Sequence, residues 1–148
     1  MNILIRPMEL GDVQEVSRIE QESFSLPWSQ EEFVKTLGRS YTLALVAQLD
    51  EKVVGFCILT NICNEGNIDN VAVDVTCRGQ GIASALVEEM IIQGKAAGIR
   101  DFTLEVRVSN GAAIRVYEKM GFVSEGIRPN FYEQPTEDAN IMWKRESL

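Results

Sequence analysis

The chain has 148 residues, 45% hydrophobic and 24% charged, the size and balance of one globular domain spanning 1–148 with a substantial core. Its net charge of -8 and isoelectric point near 4.6 disfavour broad binding to a nucleic-acid backbone, although a local basic patch could still serve a small anion. Three cysteines at spacings that match no metal motif, and no histidine at all, argue against a metal site and against a His-based triad.

In chain order, Asn2–Arg6 reads as a short strand ended by Pro7. Asp12 is placed to cap a helix whose inner face is Val13, Val16 and Ile19. The segment SFSLPW breaks that helix at Pro27. Ser29, with Glu32 three residues later, forms a capping-box pattern for a second short helix carrying Phe33 and Leu37 and ended by Gly38. Thr42–Gln48 and Val53–Thr60 read as a hairpin, and Asn67–Val73 as a third strand joined through NICNEGN. A long helix is expected from about Gly81 to Ala97, with Ile82, Leu86 and Met90 in one stripe and Glu88 and Glu89 facing water.

Phe102–Val106 then reads as a strand, Asn110 as the cap of a helix through Met120, and FVSEG as a further strand. A polar loop holding Pro129 and Pro135 leads to a last strand at about Ala139–Lys144. The two later helices join strands as crossovers, which implies parallel pairing in that half. The expected fold class is α/β: a mixed sheet with helices on both faces. No apolar run approaches membrane-spanning length, and the opening MNILIRPMELGD lacks a signal-peptide core. Three unpaired thiols suit a reducing compartment, so a cytoplasmic location is expected, with no membrane partner.

The stretch RGQGIA, Arg78–Ala83, opens the long helix. A helix start leaves backbone N–H groups without partners, and together with the helix dipole they favour an anion. Gly79 and Gly81 leave those groups unshielded, and the Arg78 fork suits a phosphate. Arginine and glycine are also ordinary turn residues, so the stretch by itself fits anion binding and plain chain reversal equally. It lacks the third glycine of a dinucleotide fingerprint, since position 84 is Ser84, and it lacks the Lys-Ser/Thr of a P-loop.

RGQGIA fits the pyrophosphate-loop motif of the GNAT superfamily of acetyl-CoA-dependent N-acetyltransferases. The preceding NVAVD and the later LEVRVSNGAAIRVYEKMGF resemble the RimI-type branch of that superfamily, which acetylates protein N-termini. The resemblance runs from IRPM at residue 5 to the end of the chain. It implies a GNAT-like fold and acetyl-CoA as the acetyl donor. Backbone N–H groups of Arg78, Gly79, Gln80, Gly81, Ile82 and Ala83 would hold the pyrophosphate. The strand Val71–Ala72–Val73 would pair with the pantetheine arm, through main-chain groups of Val71 and Val73. It further implies a protein N-terminus as acceptor, in particular the N-terminal alanine of a small-subunit ribosomal protein.

Acetylating an amine requires a base for the ammonium and a donor for the leaving thiolate. Glu105 lies in the apolar strand FTLEV. Read from the residues alone, it is a base candidate, a partner of Arg107 or a solvent-facing residue; the resemblance implies the base. Tyr117 is a boundary aromatic on its helix, and the resemblance implies the acid beside the sulfur. Asn110 can be an N-cap, and the resemblance adds contact with the cofactor arm. Glu65 and Asp69 are rival carboxylates. Trp28, Phe131 and Tyr132 are candidate walls for the acceptor, with core packing equally open for Trp28. The competing readings are a GNAT enzyme for small amines or antibiotics and a catalytically silent CoA-binding module.

Overall fold

Period-two burial along the strands and period-3.6 burial along the helices build a three-layer arrangement in a computed structural model that describes residues 2–146. The elements are β1 (Ile3–Pro7), α1 (Val13–Ser23), α2 (Gln30–Leu37), β2 (Thr42–Leu49), β3 (Lys52–Ile62), β4 (Glu65–Val73), α3 (Ile82–Ala96), β5 (Asp101–Arg107), α4 (Gly111–Lys119), β6 (Val123–Tyr132) and β7 (Glu137–Lys144). The strands form one mixed sheet in the order β1-β2-β3-β4-β5-β7-β6.

Helices α1 and α2 cover one face, where Val16, Ile19 and Phe33 pack on Val46, Phe56 and Ile58. Helices α3 and α4 cover the other, where Leu86, Val87, Met90 and Tyr117 pack with Leu45, Cys57 and Leu59. The Ser29–Glu32 capping box is present at the start of α2. Asp12 does not cap α1 through its side chain. Its carboxylate accepts from Glu9 N at 2.8 Å and from the Arg6 guanidinium at 2.8 and 2.9 Å, fastening a short 3-10 turn ahead of the helix.

The hairpin between β3 and β4 is tighter than NICNEGN implied. Both strands extend until only Cys63 and Asn64 remain between them, with φ of 52° and 65°. Two left-handed residues match the twist of the flanking strands.

The C-terminal half departs further from expectation. Among the described residues only β4 and β5 pair in parallel; β7 inserts between β5 and β6 and is antiparallel to both. The α4 crossover therefore does not produce a second parallel pair. Strand β6 also runs well past FVSEG, through Pro129 to Tyr132. As the sheet's edge strand it tolerates a residue without an N–H, and the register shift between Arg128 and Tyr132 takes up the irregularity.

One break in the sheet shapes everything that follows. Pairing of β4 with β5 stops at Ile68–Leu104. Beyond it β4 stays on β3 as far as Val73, and β5 stays on β7 as far as Arg107. Asp69 is the extra residue where the β3–β4 register shifts, a bulge that bends β4 away from β5. The bulge also resets the alternation, so that Asn70 and Ala72 face α1 while Val71 and Val73 face α3.

Candidate active site

The slot between β4 and β5 joins two cavities. A groove of about 530 Å³ lies on the α3–α4 side, and a cleft of about 550 Å³ lies on the α1–α2 side. Val71, Asn110, Ala113 and Tyr117 line both, so the two spaces meet at the slot.

The groove begins at the turn before α3. Gly79 and Gly81 have φ of 79° and 81°, in the region that L residues avoid, with open space where a Cβ would stand. The first intrahelical bond runs from Ala85 N to Gly81 O at 3.1 Å, which leaves the N–H groups of Ile82, Ala83 and Ser84 without helical partners. Along the groove, Asp74 N donates to Val54 O on β3. Alternation therefore turns the main-chain groups of Val71 and Val73 away from β3 and into the slot. This is the edge that an extended amide-bearing arm can pair with.

Arg78 lies on the groove but not as an open fork. Its Nε donates to Val73 O at 2.9 Å and its Nη2 to Ser23 Oγ at 3.0 Å. The guanidinium thus ties the end of β4 to α1, and the bidentate phosphate contact expected from the sequence gives way to a bracing one. Gln80 is exposed and its side chain lines neither cavity. Arg115 and Lys119 do line the groove, two cations four residues apart on one face of α4. Asn110 caps α4 through its side chain, accepting from Ala113 N at 3.2 Å, and it borders both cavities.

The cleft holds the carboxylates. Glu105 faces it from β5 with a quarter of its side chain exposed, and its nearest cation is Arg128 at 3.9 Å rather than Arg107. Asp69 opens onto the same cleft, accepting from Thr60 Oγ1 at 2.5 Å and from Asn67. Its surface area is open to the cavity, yet the concave wall strips hydration and raises its carboxyl, opposed by those two hydrogen bonds. Glu65 is elsewhere, exposed at the far end of β4 opposite Asp101, and on neither cavity. It starts the paired stretch of the strand, four residues before the bulge that opens the slot.

Tyr117 sits in the wall between the two spaces, buried against Phe122 at 5.8 Å between ring centroids. Burial, with Cys57 and Tyr132 nearby, raises its phenol well above the ordinary value, so the hydroxyl stays protonated. Phe131 and Tyr132 form the far wall of the cleft, edge to face at 5.0 Å, and burial beside Glu105 pushes the Tyr132 phenol up to about 12. Trp28 packs on Phe33 at 5.3 Å between ring centroids and also borders the cleft.

Two roles lay outside the sequence reading. Arg107 donates to the carbonyls of Glu133 and Pro135 at 2.8 and 2.9 Å and to Glu137 at 3.2 Å, and stands 4.6 Å over the Tyr132 ring. It clasps the β6–β7 connection that walls the cleft. Glu20 on α1 is fully buried, and burial raises its carboxyl. A usable signal existed for it: Glu20 continues the Val13–Val16 stripe, which puts an acid on the apolar face of its helix.

Two cavities that meet through a gap in a sheet, one of them starting at partnerless helix-terminal N–H groups, suit the two substrates of a group-transfer enzyme. The chain belongs to the GNAT family of acetyltransferases, whose profile matches residues 13–122, and is an acetyl-CoA-dependent N-acetyltransferase. It is 37% identical over 142 residues to an Escherichia coli K12 protein named [ribosomal protein bS18]-alanine N-acetyltransferase, covering 93% of this chain and 94% of that one. A Haemophilus influenzae protein of the same name is 33% identical over 142 residues, covering 94% and 96%. The crystal structure of the E. coli ribosomal-protein-S18-alanine N-acetyltransferase superposes with a TM-score of 0.91 at 33% identity, over 99% of this chain and 96% of that one. Ard1 from Thermoplasma volcanium gives 0.90 at 28% identity over the full length of both.

The groove's features fit acetyl-CoA: partnerless N–H groups with Arg115 and Lys119 for its phosphates, and a strand edge not paired to β5 for its amide-bearing arm. A test follows at Gly81. A left-handed L residue costs about 1–2 kcal/mol, and a valine side chain there would stand in front of the phosphate-binding N–H groups. Gly81→Val is expected to fold and to weaken acetyl-CoA binding at least about tenfold, the equivalent of one such contact, as read by calorimetry. Equal affinity would place the pyrophosphate elsewhere.

Proposed function

We propose that the acceptor is the α-amine of a protein N-terminus, the N-terminal alanine of ribosomal protein bS18 in particular, and that the enzyme works in the cytoplasm. The observation that carries this is the shape and chemistry of the cleft. It is walled by Phe24, Leu26, Phe131 and Tyr132, open at the surface, and ends at the slot beside two carboxylates. The names of the E. coli and H. influenzae relatives support the same acceptor.

Acetyl-CoA supplies an activated thioester acetyl group at the slot. Glu105 takes the proton from the incoming ammonium, directly or through water. The β4 N–H groups at the slot face the thioester oxygen and polarise it. Tyr117, on the wall shared by groove and cleft, donates a hydrogen bond to the departing sulfur. Val71 and Val73 align the donor's arm, the turn 78–83 holds its pyrophosphate, and Asn110 borders the arm. Trp28, Phe131 and Tyr132 shape the acceptor cleft, with Asp69 ordering water near the amine. Turnover of a panel of N-terminal peptides and small amines tests the acceptor. An alanine-led peptide is expected to be used best, and turnover confined to small amines would overturn the assignment.

A further inference from the structure

Glu20 is a buried acid on the acceptor cleft to which the chemistry above gives no role. It is 1% exposed, and the ion pairs among the described residues do not include it; its neighbour Arg18 is engaged by Glu15, Glu22 and Asp74. A buried carboxylate without a cation is costly unless its oxygens are well supplied with donors. Its donors are neutral: Trp28 N at 2.9 Å, and Asn70 Nδ2 at 3.0 and 3.2 Å to the two oxygens.

A carboxylate only accepts, so this contact fixes which way the Asn70 amide lies. Its NH₂ faces Glu20 and its Oδ1 faces away. Asn70 is itself 8% exposed, follows the Asp69 bulge at the slot, and lines the cleft. Among the described residues no donor meets its Oδ1. Asn70 thus brings to the cleft an amide oxygen with no donor among the described residues, and the Glu20 carboxyl lies behind its NH₂.

We propose that Glu20 and Asn70 form the subsite that receives the acceptor's ammonium group, with Asn70 Oδ1 accepting one of its N–H groups and Glu20 locking the amide and adding charge behind it. An ammonium offers three donors and no acceptor, which is the complement of this pair. The dyad works alongside Glu105: it holds the amine nitrogen, and the base across the slot removes a proton. The proposal deepens the amine-acetylation reading above and rests on it, but it holds for any primary amine.

Glutamine at position 20 tests it. A side-chain amide there can donate to Asn70 Oδ1, which frees the Asn70 amide to turn its NH₂ into the cleft, against an ammonium. Glu20→Gln is expected to raise KM about tenfold or more for an alanine-led peptide and for a small primary amine alike, the scale of one charge-assisted hydrogen bond. Turnover at saturation and acetyl-CoA affinity by calorimetry should stay near wild type, because uniform binding of the amine is what is lost.

In the double variant Glu20→Gln/Asn70→Asp, the amide at 20 donates to a carboxylate at 70 whose second oxygen faces the cleft, and KM should return towards wild type. Unchanged KM in the single variant would overturn the proposal. So would a double variant that binds acetyl-CoA normally without recovering KM, or a parallel loss of acetyl-CoA affinity and amine KM in both. A wild-type enzyme that ignores peptides would sink the N-terminal acceptor, and the small-amine KM would still decide the dyad.

Discussion

Tyr117→Phe is expected to lower turnover about a hundredfold, the smaller end of what a positioned proton donor contributes. Acetyl-CoA affinity should barely change. The ring packs on Phe122 and on the core beneath α4, and phenylalanine keeps that packing. Only the hydroxyl goes, from a residue that lines both groove and cleft. The direction of the Tyr117 shift also says how the group acts. A phenol raised above its usual value of about 10 is a weaker acid than a thiol near 8.5, so complete proton transfer to the thiolate is uphill. What such a group supplies is a strong hydrogen bond as charge builds on the sulfur. The loss should therefore appear in the chemical step, with single-turnover and steady-state rates falling together. Unchanged turnover with a good peptide acceptor would remove Tyr117 from the reaction.

The parts of this architecture that the sequence displays are those set by local chemistry. The Ser29–Glu32 box, the Asn110 cap and the apolar stripes of α1 and α3 each depend on residues within a turn or two of one another. So does the glycine turn before α3, whose two left-handed residues follow from Gly79 and Gly81. The parts it hides are set by distant contacts. Strand β6 carries almost no buried alternation, because it is an edge and its pairing with β7 is its only ladder. The insertion of β7 between β5 and β6 leaves no periodic trace at all.

The site divides in the same way. Glu105 and Tyr117 were singled out by the resemblance of LEVR and YEKMGF, and strand alternation separately gave Glu105 the face opposite Leu104 and Val106. The bracing of Arg78 onto Val73 and Ser23 was not, since its partners lie on two other elements, one of them 55 residues away. The Asp69 bulge was hidden too, and without it strand alternation alone puts Asn70 on the wrong face of the sheet.

Glu105→Gln is expected to cut turnover on an N-terminal peptide about a hundredfold at neutral pH, the contribution of a positioned base. The sign of the pH dependence follows from the substrate. A peptide α-amine has a pKa near 8, so at pH 7 only about a tenth of it is neutral and nucleophilic. With Glu105 as the base, wild-type enzyme would accept the ammonium form and remove its proton at the slot. The variant must wait for amine already neutral in solution, so its rate should climb up to about tenfold between pH 7 and 9, while wild type stays flatter. Steady-state profiles of both proteins on the same peptide read this directly. Glutamine preserves the size of the side chain, and the Arg128 contact at 3.9 Å is too long and too exposed to hold the strand together. A fold defect is therefore not the expected source of the loss. If the two profiles coincide, Glu105 is not the base. The role would then pass to Asp69, the other carboxylate facing the cleft at the slot, whose raised carboxyl already favours proton uptake nearer neutrality. It would not pass to Glu65, which the hairpin end of β4 carries away from both cavities.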